Sequence, residues 1–280
     1  MKLTVLVDNN TLIDRYFLAE PGVSYFIEDG DSHVLFDVGY SDVFIKNAHK
    51  MAHVDLLDVD ALVLSHSHLD HTWGLVPLIA LYTEAIIEGM YHKRPTLVAH
   101  PSTFVTRTLG DLGEIGSIVS QRKLARHFDL RLSRDPVWLT ERLVFLAEIE
   151  RRTEFEARCA IGQVVMDGAQ RADYVMEDSA LAYKSSRGLV IITGCSHAGI
   201  CNIVAHAQDV CGDDRVADIV GGFHLLDPSE EQLQGTLTYM EALQPARVHA
   251  CHCTDLNSKI ALSRVVDLKE VGVGLTLEYD

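Results

Sequence analysis

The chain has 280 residues, 48% of them apolar and 23% charged, with a formal net charge of −16. That size and balance suit one globular domain with a substantial core, and the acidic excess argues against nucleic acid as a general partner, because such proteins carry a basic footprint. The apolar runs fall far short of a membrane span, residues 1–7 are too short for a signal peptide, and six cysteines without framework spacing point to reduced thiols in the cytoplasm.

Residues 3–7 predict a strand that ends in Asp8-Asn9-Asn10. Residues 24–27 and 33–38, separated by Glu28-Asp29-Gly30-Asp31, predict a hairpin. Ser41 is a candidate cap for a helix through Val43, Phe44, Ile45, Ala48 and Met51. Residues 61–64 form a short apolar run, as a buried strand would, and lead into Ser65-His66-Ser67-His68-Leu69-Asp70-His71. Thr72-Trp73-Gly74 follows, then a helix over 75–82. Three imidazoles and one carboxylate thus fall between positions 66 and 71. Both groups are ligands of zinc and other divalent first-row metals. A strand-to-helix loop lets such side chains converge on one point; a surface tract of histidines would need neither element. Residues 96–99 predict the next strand, with His100 as a turn residue at its end.

From 109 to 178 the pattern is least regular. Between Gln121 and Arg158 nine basic residues stand against seven acidic ones, a local +2 in an acidic chain. Regularity returns with a hairpin over 179–184 and 188–193. Gly194-Cys195-Ser196-His197-Ala198-Gly199 then repeats the order of strand, loop and helix, the helix starting near Ile200. Cys195 reads as a thiolate ligand, a nucleophile or, in preference, a small buried residue behind the loop. A strand over 217–220 runs into Gly221-Gly222-Phe223-His224-Leu225, and Pro228 is placed to open a helix through Leu233, Leu237, Met240 and Leu243. A strand over 247–251 ends at His252, within Cys251-His252-Cys253-Thr254. Strand alternation predicts that both cysteines turn away from the face of His252. A helix over 256–266 and a strand over 272–277 complete the pattern.

His-X-His-X-Asp-His after a hydrophobic strand resembles the signature of the metallo-β-lactamase superfamily. The resemblance implies a four-layer αββα sandwich, one domain over 1–280 with a variable insertion at about 105–178. It implies a dinuclear site, with His66, His68 and His197 on one metal and Asp70, His71 and His252 on the other. Zinc is the first candidate, with manganese or iron as alternatives. In Leu35-Phe36-Asp37-Val38-Gly39, the family's aspartate buttresses the metal loop, which is the expected role of Asp37. Many members place a metal-bridging aspartate where this chain has Gly221-Gly222-Phe223-His224, with no carboxylate until Asp227. His224 is then a ligand, a substrate contact or an oxyanion donor, and is expected to face the substrate beside the metals.

Val7-Asp8-Asn9-Asn10-Thr11, Phe36-Asp37-Val38-Gly39, Gly194-Cys195-Ser196-His197, Gly221-Gly222-Phe223-His224-Leu225 and Cys251-His252-Cys253-Thr254 together resemble the branch named for dihydropterin–ribofuranosylaminobenzene phosphate synthase. Trp73 and Asp255 stand where that branch commonly has glycine; Trp73 could narrow the pocket or stack on a flat ring. The expected function is hydrolysis of a phosphate ester or other anionic ester through metal-bound hydroxide, with Asp70 and His224 as the catalytic groups and the basic insertion holding a small anionic substrate. A pterin-type transferase is the alternative, and a ligand-binding protein with little turnover is a third reading. No membrane partner is expected.

Overall fold

The computed structural model of the protein describes all 280 residues. A seven-stranded sheet has the spatial order Thr276–Glu278, Lys2–Val7, Ser24–Asp29, Ser32–Phe36, Ala61–Val63, Thr96–Ala99 and Asp129–Leu132. A six-stranded sheet has the order Val248–Cys251, Val216–Gly222, Gly188–Thr193, Ala180–Ser185, Leu143–Phe145 and Val137–Trp138. Each sheet is antiparallel on one side and parallel on the other.

Period-two alternation sorts the strand residues into two buried faces. Tyr25, Ile27, Phe36 and Val63 of one sheet meet Leu181, Tyr183, Val190 and Ile192 of the other. The opposite faces carry Phe26, Leu35 and Leu62 against Phe44, Leu75 and Leu78, and Ala182, Ile191 and Ile219 against Ile203, Val204 and Met240. Helices Val43–Ala48 and Leu75–Ile87 therefore cover the first sheet, and helices Ile200–Cys211, Glu230–Leu243 and Leu256–Leu262 the second. The result is the expected four-layer αββα architecture of helix, sheet, sheet and helix. No helix is long and apolar enough to cross a membrane.

Several boundaries differ from those expected. The hairpin still pairs Glu28 with His33 and Asp29 with Ser32, so only Gly30 and Asp31 form its turn. The first helix has Asp42 at its cap position, and Ser41 Oγ accepts from Val43 N–H at 3.3 Å. Pro228 lies outside its helix; Ser229 is the cap and accepts from Gln232 N–H. Asp70 and His71 sit on a one-turn helix, Leu69–Thr72, rather than on an open loop. Within 105–178, strands Asp129–Leu132, Val137–Trp138 and Leu143–Phe145 belong to the main sheets. Strands Arg107–Thr108, Gln163–Met166 and Ala169–Ala172 form a small separate sheet.

Candidate metal centre

The parallel halves of both sheets end on the same edge of the sandwich. Asp37 follows strand Ser32–Phe36, and Ser65 to His71 follow Ala61–Val63. Cys195 and His197 follow Gly188–Thr193, His224 follows Val216–Gly222, and His252 follows Val248–Cys251. Side chains from five strand ends thus converge, although they are spread over more than two hundred positions of sequence.

The six expected ligands form two adjoining groups. Donor atoms of His66, His68 and His197 lie within 4.8 Å of one another, as do those of Asp70, His71 and His252. Both groups fit a divalent cation. His66 Nε2 and His197 Nε2 face each other at 3.2 Å. Ser65 Oγ gives its hydrogen to Asp37 Oδ2 at 2.6 Å and accepts from His66 Nδ1 at 2.8 Å, which leaves a lone pair on His66 Nε2. His68 Nε2 and His197 Nδ1 are buried without a protein partner. Burial, reinforced by the neighbouring imidazoles, holds His66 and His197 well below the usual imidazole range, and burial takes His68 down to about 3. Neutral imidazole is the form that a metal needs.

In the other group burial would lower His71, but Asp70 and Asp37 outweigh it and push its pKa up to about 9. Burial acts to raise Asp70, and His71 and His252 overcome it, so its carboxyl stays below the usual range. A pocket that draws a proton onto a buried imidazole this way draws a cation by the same field.

Asp37 has the contacts expected of a buttress. It is fully buried, with φ +54°, accepts from Ser65 N–H and Ser65 Oγ, and accepts from His71 Nδ1 at 2.7 Å. His252 is held from the opposite end of the chain: Asp8 Oδ1 accepts its backbone N–H at 3.0 Å, and Asn9 Oδ1 lies 2.9 Å from its Nδ1. Glu177 and Asp178 span the two metal loops. Glu177 Oε1 accepts from Ser67 Oγ at 2.8 Å, and Asp178 Oδ2 accepts from Ala198 N–H at 2.7 Å. Burial pushes Asp178 up to about 7.

His224 has φ +51°, and its ring lies 4.3 Å from that of His197. Its Nδ1 is buried without a partner, and the ring lines a hollow shared with Arg158, Tyr174 and Asp227. Trp73 does not line the cleft beside His68 and Asp70. It stacks on Tyr40 at 5.3 Å, and its Nε1–H donates to Gly116 O at 2.8 Å. Asp255 caps the helix that follows it and accepts from Asp227 N–H.

Two cysteines depart from their expected placement. The strand stops at Cys251, and His252 has φ +47°, so strand alternation no longer governs position 253. Cys251 does turn away, towards Tyr25 OH, but Cys253 Sγ joins His252 and Cys195 in a further donor group and accepts from His224 N–H. Cys195 is buried, yet its sulfur faces the ligands rather than lying behind them: it is 3.4 Å from His71 Nε2 and 3.1 Å from His252 Nε2.

The fold is the metallo-β-lactamase fold, and the chain is similar to proteins of that superfamily. Residues 18–152 match that family's description. Among curated proteins, the chain is 27% identical over 274 residues to 7,8-dihydropterin-6-methyl-4-(β-D-ribofuranosyl)-aminobenzene-5′-phosphate synthase of Methanocaldococcus jannaschii, covering 92% of this chain and 89% of that one. Among solved structures, Tm1679, described as a metal-dependent hydrolase of the β-lactamase superfamily, matches with 26% identity, a TM-score of 0.82 and full coverage of both chains. YhfI of Bacillus subtilis, at 14% identity and a TM-score of 0.60 over 99% of each chain, shares the fold. The chain is thus similar both to a protein described as a hydrolase and to a synthase.

Proposed function

We propose that the protein is a metal-dependent hydrolase that cleaves a phosphate ester or another anionic ester. The carrying observation is the pair of adjoining donor groups, His66–His68–His197 and Asp70–His71–His252, at the edge of a cleft that reaches His68 and Asp70. Two divalent cations held there would supply electrophilic polarisation of the substrate and a water activated near neutral pH. The chain's own groups do the rest. Asp37 fixes the Nδ1 of His71, and Asp8 and Asn9 fix His252, so the donors are aimed before anything binds. His224 lines the hollow beside His197. Burial works against its charged form, but the Cys253 sulfur outweighs this and holds it above the usual imidazole range. That suits a group that gives a proton to a leaving oxygen.

The anionic preference rests on the centre itself, because four arginines of the 105–178 region are engaged locally. Arg107 pairs with Asp173 and Glu177, Arg134 with Glu148, and Arg152 with Glu150 and Asp209; Arg151 donates to the carbonyls of Tyr174 and Val175. The cleft beside Asp70 is apolar, about 500 Å³, and walled by Tyr40, Leu69, Leu109, Leu112, Ile115 and Ile161. The ester's other part is therefore an apolar or flat group. A panel of phosphomonoesters, phosphodiesters, thioesters and lactones, assayed with and without added metal, tests the reading. Aryl phosphate esters should be turned over fastest and only with metal; a clear preference for neutral lactones would refute it. A pterin-type transferase is the second reading, favoured by the similarity to the synthase, and product analysis with a diphosphate-bearing donor separates the two.

A further inference from the structure

We propose that Cys195 is a thiolate ligand of the second metal, completing a four-donor set with Asp70, His71 and His252; this rests on the dinuclear reading above. Four of the six donor–donor separations are close to tetrahedral edges in size. Cys195 Sγ is 3.4 Å from His71 Nε2 and 3.1 Å from His252 Nε2, and Asp70 Oδ2 is 3.3 Å from His252 Nε2 and 3.8 Å from His71 Nε2. Ligands about 2.0–2.3 Å from zinc, arranged tetrahedrally, stand about 3.3–3.8 Å apart.

The fold builds this placement deliberately into the second metal loop. A Cβ at position 194 would come within 2.4 Å of Ser65 Oγ and 2.9 Å of Asp37 Oδ2, so only Gly194 lets this loop close onto the buttress that also holds His71. Ser196 then takes φ +60°, and its hydroxyl donates to Gly222 O at 2.6 Å, fixing the turn between Cys195 and His197. One loop therefore sends His197 to the first donor group and Cys195 to the second. A buried thiol has a single hydrogen, yet this sulfur faces two imidazole nitrogens; a cation shared by all three resolves the mismatch. On ligation the S–H bond breaks, the sulfur keeps the electron pair and donates it to the cation, and the proton passes to solvent. The thiolate removes one unit of positive charge from the centre and favours thiophilic ions such as zinc or cobalt over manganese.

Cobalt(II) titration of metal-stripped protein tests this without measuring activity. With two equivalents bound, a sulfur-to-cobalt charge-transfer band should appear in the near ultraviolet. Cys195→Ser should remove it and weaken the second equivalent by roughly 10²-fold or more, above the usual penalty for losing a ligand's supporting contact, while the first equivalent binds as before. Cys253→Ser should keep the band. X-ray absorption on the zinc-loaded wild type, which needs no variant, should show a sulfur scatterer at about 2.3 Å. Two cobalt equivalents without the band, or a band that survives Cys195→Ser, would overturn the assignment of Cys195 alone. Failure to bind a second equivalent would overturn it together with the dinuclear reading.

Discussion

Arg107→Met should damage both stability and metal binding, through one buried network. Arg107 is 1% exposed; its guanidinium lies 2.8 Å from Asp173 and 2.6 Å from Glu177, which are themselves 2% and 1% exposed. Removing the cation leaves two buried carboxylates uncompensated, a change that costs about 3–5 kcal/mol. For a domain of this kind that is a large part of the total stability of about 5–15 kcal/mol. In urea it corresponds to a midpoint lower by roughly 1–2.5 M, for a slope of about 2–3 kcal/mol/M. Burial already raises the Glu177 carboxyl, and Arg107 is the main group opposing it. Without Arg107, Glu177 should protonate and release Ser67, the residue between His66 and His68. Affinity for the first metal should then fall roughly 10–100-fold, as when a ligand's supporting contact is lost. Urea unfolding of the metal-free protein and a chelator-competition titration measure the two effects separately. The variant Arg107→Met/Asp173→Asn/Glu177→Gln should recover most of the stability, since it removes the stranded charges. A loss below about 1 kcal/mol, the range of exposed ion pairs, or an unchanged metal affinity, would refute the network.

His224→Ala should lower turnover by roughly 10²–10⁴ while both metals stay bound; metal loss would make His224 a ligand, and no change in turnover would make it a packing residue. Metal binding at the second site should compete with a proton on His71, whose pKa is pushed up to about 9 by Asp70 and Asp37 against the effect of burial. Below that pH each ion must displace the proton, so apparent affinity should fall about tenfold per unit from pH 9 to 7. Zinc titrations against a chelator at several pH values check this, and a flat profile after correction for the chelator would contradict it.

The candidate ligands were legible because they stand at strand ends. The cluster from His66 to His71 follows an apolar run, and His197, His224 and His252 each follow another; local pattern marked them as candidates, and the family resemblance divided six donors between two metals. The αββα layering was implied by the family resemblance; local pattern marked only its parts, such as the hairpin of Ser24–Asp29 with Ser32–Phe36. What escaped depends on partners far away in sequence. Glu177 reaches Ser67, Asp178 reaches Ala198, and Asp8 reaches His252 across the whole chain. No local period announces such pairs; the only available sign was acidic residues directly abutting buried strands. Cys253 was misplaced because alternation was carried past the last strand residue into a left-handed turn. Gly221 and Gly222 stand where many members of the family place a metal-bridging aspartate. A Cβ at 222 would strike Cys253 Sγ at 2.5 Å and Gly194 O at 2.6 Å, so the close approach there is between strand ends.

Metal content per chain tests the account most directly. Elemental analysis of protein reconstituted with zinc and freed of loose ions should find about two metals per chain. His68→Ala should lose roughly one of them together with activity, because packing cannot replace a lost ligand. Fewer than about one metal per chain in the wild type, after reconstitution, would contradict the dinuclear centre on which the proposed hydrolase rests.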